Sequence, residues 1–323
     1  MSDRPLLVLT APGGGEIPIL SELRHAATIV VGDSAEDFAG ATDNAEIIFN
    51  WSGSLALLRD VFLMSQRLRW IHSRSAGLEQ MLFPELVESD VVLTNGSGVF
   101  SPSLGEFVLA AILFFAKDFR RMIRNQAAGV WQQFDITMVA GQTVGIVGYG
   151  SIGRAIATRA QALEMKVLAL KRNVSQPSQD DPSIEQVYGP KGLCEMLSRS
   201  DYVVVTLPLT EQTQGLIASA EFAVMKKNAV VINVGRGPTI DEPALIKALS
   251  ENRIRGAALD VFDQEPLPQG HPFYSLENVL LSPHCADHTP DWLDNALRFF
   301  LSQLERFRSG QRLLNVVDKK LGY

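Results

Sequence analysis

The hexapeptide Gly148-Tyr149-Gly150-Ser151-Ile152-Gly153 constrains this chain more than any other stretch. It directly follows the apolar run Thr143-Val144-Gly145-Ile146-Val147 and opens a segment of helical character near Ser151. Glycine at 148 permits a tight turn, glycine at 150 lets the backbone approach a pyrophosphate, and glycine at 153 lets helix and strand pack closely. The unpaired amides and dipole at the helix start supply an anion site without a formal charge. Strand, turn and helix together predict a dinucleotide site built on Gly148, Gly150, Ser151, Ile152 and Gly153. A glycine-rich turn with no ligand is the plainer alternative.

The rest of the chain repeats the same rhythm. Short β-rich runs at 6–10, 28–31, 46–49, 69–72 and 91–94 alternate with helical patterns such as 54–64. A second alternation places strands at 143–147, 166–170, 202–207, 229–234, 257–261 and 279–282. Strands alternating with helices predict parallel sheets wrapped on both faces. A long helix is expected over 103–126, closed by Gly129 and Trp131, and an amphipathic one over 291–308. At 323 residues the chain exceeds what one hydrophobic core usually serves. Residues 99–288 are expected to form a dinucleotide-binding domain. Residues 1–98 with 289–323 would form the substrate domain, with hinges near 99–102 and 288–290. The early Gly13-Gly14-Gly15 run opens no clear phosphate-binding helix and is read as a flexible turn.

Charge narrows the partners. The formal net charge is −7, and Lys and Arg are scattered, which argues against nucleic acid and anionic membrane as main partners. An acidic protein that takes an anion must do so with a few local cations and backbone amides. The strongest apolar run, 107–116, is about half of what a bilayer requires, so no membrane span is expected. Two cysteines, Cys194 and Cys285, without pairing or ligand spacing fit a reduced, cytoplasmic compartment, and no metal is expected. The end of the second strand after the glycine turn reads Leu170-Lys171-Arg172-Asn173, where an NAD site would place a carboxylate on the ribose. Lys171 and Arg172 would instead attract a 2′-phosphate, so NADP(H) is preferred with NAD(H) possible. The alternative is a pair of solvated surface charges.

With these motifs in place the chain resembles the D-isomer-specific 2-hydroxyacid dehydrogenases, which include glyoxylate/hydroxypyruvate reductases. The resemblance rests on Gly148 to Gly153, on Asp201 followed by Leu207-Pro208-Leu209-Thr210 with Thr213, and on Asn233-Val234-Gly235-Arg236-Gly237. It continues through Asp260-Val261-Phe262 with Glu265-Pro266 and ends at Ser282-Pro283-His284. The order and spacing of these motifs are specific where each alone is modest. The resemblance implies two doubly wound parallel-sheet domains, a Rossmann nucleotide-binding domain and a flavodoxin-like substrate domain, with an inter-domain cleft. It implies hydride transfer between NAD(P)H and a small 2-keto or D-2-hydroxy acid, and a homodimer.

It also implies that Arg236, Glu265 and His284 form the catalytic set, and the chemistry asks for those residue types. Arg236 offers a planar, permanently charged fork for the carboxylate and polarised carbonyl. Histidine titrates near neutrality, so His284 can give a proton in reduction and take it in oxidation. Glu265 would orient the imidazole and stabilise its protonated form. Alone, each has a bland reading: a loop arginine, a turn glutamate, a strand-capping histidine. His288 competes for the acid/base role.

Further positions follow from the resemblance. Ser75, Ala76 and Gly77 match a loop whose amides help hold the substrate carboxylate, and Asn95 matches an asparagine near the cleft. Asp260 would bond the nicotinamide amide, with Val234 and Gly235 also at the cofactor. Leu207, Pro208 and Thr213 would line the adenosine and ribose side. Trp131 resembles an aromatic that in some relatives reaches into a partner subunit, although a core tryptophan is the simpler expectation. Phe49, Trp51, His72, Phe100, Tyr274 and Trp292 are candidates for pocket walls. Two departures bear on substrate identity: Asn95 lacks a following proline, and Cys285-Ala286-Asp287-His288 replaces a small, glycine-containing stretch. The other readings are a nucleotide-sensing, corepressor-like binding protein, and a dehydrogenase of formate- or phosphite-like donors.

Overall fold

The computed structural model describes residues 4–13, 17, 20–79, 81–174 and 181–322. Gly14 and Gly15 of the early glycine run lie outside them. The chain divides into two compact units, Met1–Phe100 with Thr289–Tyr323, and Ser101–His288.

The first unit carries β1 (Leu6–Leu9), α1 (Leu20–Ala26), β2 (Ile29–Gly32), β3 (Ile47–Asn50) and α2 (Leu55–Met64). After these come β4 (Trp70–Ser73), α3 (Pro84–Glu88) and β5 (Val92–Thr94). In the second unit α4 (Ser101–Ala116) and α5 (Phe119–Ala127) precede β6 (Thr143–Val147), α6 (Ser151–Ala162), β7 (Lys166–Leu170) and β8 (Gln186–Tyr188). It continues with α7 (Leu193–Arg199), β9 (Tyr202–Val205), α8 (Ser219–Val224), β10 (Val230–Asn233), α9 (Glu242–Ser250), β11 (Gly256–Leu259) and β12 (Val279–Leu281). The last helix, α10 (Trp292–Arg308), belongs to the first unit.

Both sheets are parallel throughout. The first runs β2-β1-β3-β4-β5 and the second β12-β11-β10-β9-β6-β7-β8. Such sheets need both faces covered, and their strands are correspondingly apolar on both. In the first unit Leu7, Leu9, Ile48 and Ile71 face one cluster, which holds Leu57, Leu58 and Val61 of α2. Their neighbours Leu6, Val8, Phe49 and Trp70 face another, which holds Leu297, Phe300 and Leu304 of α10. Phe300 lies flat on Phe49, centroids 3.9 Å apart, and stacks on Trp70 at 5.4 Å. This aromatic contact ties the C-terminal helix to the sheet of the first unit. In the second unit Val147, Leu168, Val205, Val231 and Leu259 pack with Leu197, Phe222 and Leu245 in one core.

Three details depart from the sequence reading. The helix expected over 103–126 is two helices, because Asp118 takes a left-handed conformation (φ 52°) and its side chain caps α5 through the Arg121 amide. The edge strand β8 was not anticipated; three residues give too little periodicity to read. Trp131, expected in a core, is 96% exposed. Among the described residues no helix is long and apolar enough to cross a membrane, and no group of three or more His, Cys, Asp or Glu is placed to hold a metal ion.

His72 is wholly buried in β4, its Nδ1 2.8 Å from the Thr94 hydroxyl. Burial pushes its pKa down to about 3 from the ordinary 6.5. Between those values the unfolded chain binds a proton that the folded one refuses, so stability falls as pH drops through that window and is level above it. We expect His72→Leu to flatten the acid limb of urea-unfolding free energy between pH 6 and pH 4, by up to about 1.4 kcal/mol per pH unit. An unchanged slope would place the acid lability elsewhere.

Candidate active site

The register of the second sheet sets the site. One row of Cα partners crosses it at the carboxyl edge: Leu170 of β7, Val147 of β6, Val205 of β9, Asn233 of β10, Leu259 of β11 and Leu281 of β12. Every loop carrying a predicted residue of this unit leaves from that row. Chain order reverses between β6 and β9, the switch point where parallel sheets receive ligands. Strands about 4.8 Å apart put β12 about 19 Å from β6, a span suited to an extended dinucleotide.

At the switch point Gly148 has φ 101°, and a Cβ there would press on Leu207 Cδ2 at 2.9 Å. A Cβ at Gly153 would meet the Gly148 carbonyl oxygen at 2.8 Å, so side chains are excluded where helix and turn touch. Gly150, the N-cap of α6, has open space around it, as a turn that admits a phosphate requires. Ser151 and Ile152 form the first helical turn. Thr206 Oγ1 donates to the Gly148 carbonyl and ties the loop after β9 to this turn. In that loop Thr213 Oγ1 donates to Pro208 O at 2.7 Å and accepts from Thr210 N at 2.8 Å, so its hydroxyl braces Leu207 and Pro208.

Lys171 and Arg172 follow β7, and Lys171 Nζ sits 5.0 Å from the Tyr149 ring. Arg154, in α6 just after Gly153, approaches the same ring at 5.5 Å and lies 3.6 Å from Asp181. The Tyr149 hydroxyl donates to Asp181 at 2.6 Å; burial and that carboxylate push its pKa up to about 12. Sequence reading missed Arg154, Tyr149 and Asp181. Two of them stand in and beside the glycine motif; Asp181 is joined only by folding.

At the far end of the row the loops after β10, β11 and β12 lie side by side. Asn233, 1% exposed, accepts from Gly235 N and donates to Arg236 O, both at 3.0 Å, which shapes the Val234–Gly235–Arg236 turn. A Cβ on Gly237 would stand 2.0 Å from the Phe262 carbonyl carbon, so this turn is pressed against the one that leads to Glu265. Glu265 Oε1 accepts from Phe262 N at 2.9 Å, and Oε2 lies 2.6 Å from His284 Nδ1. Both side chains are partly exposed, 34% and 47%. Asp260, 2% exposed, accepts at Oδ1 from the Ser282 hydroxyl, Cys285 N (3.0 Å) and Ala286 N (3.1 Å). These bonds bracket His284 and accompany its left-handed backbone (φ 52°). Burial pushes the pKa of Asp260 up, and the three hydrogen bonds and His284 oppose that. Asp287 Oδ1 is 3.8 Å from His288 Nε2.

In the first unit Ser75, Ala76 and Gly77 follow β4, and Asn95 follows β5. Asn95 Nδ2 donates to Ala76 O at 2.7 Å and its Oδ1 accepts from Ser97 N at 3.2 Å, so it braces the loop. The backbone amides of 75–77 donate no hydrogen bond among the described residues. Of the residues proposed for pocket walls, Phe49 and His72 are fully buried in the core. Tyr274 is 59% exposed.

A glycine-rich turn at the switch point of a parallel sheet defines a dinucleotide-binding protein. Comparison with known proteins carries this further. The family model for the D-isomer specific 2-hydroxyacid dehydrogenase NAD binding domain matches residues 109–286. D-3-phosphoglycerate dehydrogenase of Methanocaldococcus jannaschii is 29% identical over 304 residues; this covers 94% of the chain but 57% of that longer protein. Glyoxylate/hydroxypyruvate reductase A HPR2 of Arabidopsis thaliana is 34% identical over 254 residues, 77% of the chain and 78% of that protein. A crystal structure of a D-isomer specific 2-hydroxyacid dehydrogenase from Xanthobacter autotrophicus Py2, in complex with NADPH and MES, aligns with TM-score 0.85 and 28% identity over 98% of this chain and 99% of that one. The chain belongs to the D-isomer specific 2-hydroxyacid dehydrogenase family. It is accordingly an NAD(P)-dependent oxidoreductase of 2-hydroxy acids.

Proposed function

We propose that this chain reduces a small 2-keto acid of the glyoxylate or hydroxypyruvate type to the D-2-hydroxy acid, with NADPH preferred over NADH. The observation that carries the reading is the 2.6 Å contact of Glu265 Oε2 with His284 Nδ1, on the same sheet edge as Arg236. When bound, reduced nicotinamide supplies the hydride to C2. Arg236 holds the substrate carboxylate and polarises the carbonyl with its fork of N–H donors. With Nδ1 facing Glu265, the imidazole is left with Nε2 for the substrate, and from there it delivers a proton to the developing alkoxide. Glu265 stabilises the charged imidazolium and fixes its plane. Asp260 holds the turn that carries the histidine, and the unpaired amides of 75–77 supply further donors to the carboxylate. Val234 and Gly235 lie beside the cofactor. The name of the Arabidopsis relative supports the substrate class.

In the assay of NADPH oxidation at 340 nm with glyoxylate and hydroxypyruvate, we expect His284→Ala to lose about 100-fold or more in kcat. His288→Ala should stay within a few-fold of wild type. The reverse pattern would move the acid/base role to His288. No turnover with any keto acid despite tight NADPH binding would favour the nucleotide sensor.

Lys171 and Arg172 after β7 support the choice of NADPH, as does the Xanthobacter relative solved with that cofactor. Lys171→Asp should lower the NADPH-to-NADH ratio of kcat/KM at least tenfold, because a carboxylate there repels a 2′-phosphate. An unchanged ratio would reduce Lys171 to a surface charge.

We infer a homodimer. Trp131, Val130, Ile136 and Met138, with Met122 and Ile123 of α5, form an exposed apolar stretch on the nucleotide-binding unit. A second copy of this chain is the occupant that suits it. Trp131→Ser with Ile136→Ser should shift sedimentation at micromolar concentration from dimer towards monomer; an unshifted dimer would place the interface elsewhere.

A further inference from the structure

The turns that carry Arg236 and Glu265 leave neighbouring strands, β10 and β11, whose last residues Asn233 and Leu259 are register partners. Close to the sheet they are pressed together, since a Cβ on Gly237 would meet the Phe262 carbonyl. Farther out they are unequally held. The Arg236 turn is fixed from inside, because Asn233 Nδ2 and Thr239 Oγ1 both donate to Arg236 O, at 3.0 and 2.6 Å. The chain then enters α9 at Glu242. The stretch 263–270 has no such frame. Among the described residues none of its backbone amides donates a hydrogen bond, and Asp263, Gln264, Glu265 and Pro266 are exposed. Exposed backbone without such bonds opens easily, yet Glu265 has to stay within hydrogen-bond reach of His284.

The far end of the loop is caught by a second carboxylate–imidazole contact. His271 Nε2 lies 3.0 Å from Glu242 Oε1, and the two side chains are only 14% and 17% exposed. His271 Nδ1 faces the Phe273 N–H at 3.4 Å, and a nitrogen that faces a donor carries no proton. The ring proton therefore sits on Nε2 and is donated to Glu242. Glu242 is the first residue of α9, where the helix dipole favours a carboxylate. From His271 the packing runs inward. Its ring is 4.9 Å from that of Phe273, which is 2% exposed and 6.2 Å from the Phe262 ring. Phe262 N in turn donates to Glu265 Oε1. The Glu242–His271 pair thus joins the exit of the Arg236 turn to the exit of the Glu265 turn, and the loop from Phe262 to His271 is held at both ends.

We propose that Glu242 and His271 are positioning residues: the hydrogen bond from His271 Nε2 to Glu242 staples the loop to α9 and so keeps Glu265 on His284. The inference rests on the reading of Glu265 and His284 as reacting partners. Neither Glu242 nor His271 is given a part in proton transfer; both act through Glu265.

The test is kcat for NADPH oxidation with glyoxylate and hydroxypyruvate. Glu242→Ala and His271→Ala should each lower kcat about tenfold, because a slightly misplaced reacting group costs one to two orders of magnitude. KM for the keto acid and Kd for NADPH should stay within about twofold, since the Arg236 turn and the glycine turn have their own bonds. Glu242→Gln should restore most of kcat, because an amide oxygen also accepts from Nε2–H. In a Glu265→Gln background, Glu242→Ala should cost less than about threefold more, as residues acting through one partner are not additive. Glu242→Asp keeps the charge at the helix start but withdraws it from Nε2; it should lose kcat too, and it decides the matter if the alanine variants do not fold. Four results overturn the inference: alanine or aspartate variants that keep wild-type kcat, a loss taken in KM or NADPH binding instead, Glu242→Gln as impaired as Glu242→Ala, or the full loss persisting in Glu265→Gln. If Glu265→Gln alone leaves kcat unchanged, the reading of Glu265 as the partner of His284 fails and the inference fails with it.

Discussion

Parallel pairing is the constraint from which the rest of this molecule follows. When every strand of a sheet points the same way, every loop that follows a strand emerges at one edge, and the helices must return the chain to the other. In the second unit that edge receives the glycine turn after β6, the two basic residues after β7, and the Arg236, Glu265 and His284 loops after β10, β11 and β12. Residues far apart in the chain, such as Val147 and Val205, become neighbours because Val147, Val205, Asn233, Leu259 and Leu281 stand in one register row.

Alignment of strands places loops only coarsely, and the finer placement comes from contacts too close for a side chain. Gly153 against the Gly148 carbonyl and Gly237 against the Phe262 carbonyl are such contacts. Around them, buried polar groups finish the shaping. Asn233 bonds both ends of the Gly235–Arg236 turn, and Asp260 gathers three donors from the 282–286 turn. Leaving such groups unpaired in the interior would cost about 1–3 kcal/mol each, so the turns hold the shapes that pair them. The His284–Glu265 contact is the product of two turns fixed in this way.

Anion recognition in an acidic protein is met by the same economy of local groups. Lys171 and Arg172 are candidates for one end of the dinucleotide, Arg236 for the reacting acid, and the free amides of 75–77 add donors without charge. Arg74 lies beside the Trp51 and Trp292 rings, as Lys171 lies beside that of Tyr149.

Much of the fold was legible because parallel, doubly covered strands are short apolar runs that alternate with amphipathic helices; β6 and β7 were read to the residue. The glycine turn and the ordered Arg236, Glu265 and His284 motifs were legible because their chemistry is carried by residue type at fixed local spacing. What the sequence could not convey is contact between distant positions. Nothing local in Asp118 shows that it turns left-handed and splits a helix, and nothing in Trp131 shows that it stands in solvent. Phe49 and His72 have the side chains of a pocket wall and lie in the core, while Trp51 and Trp292 come to Arg74 from opposite ends of the chain. The sequence alone thus marked most of the strands, the glycine turn and the candidates for the reacting residues, since these depend on periodicity and spacing. The tertiary structure alone decided which polar atoms pair and which rings are buried, because those depend on packing between residues far apart in the chain.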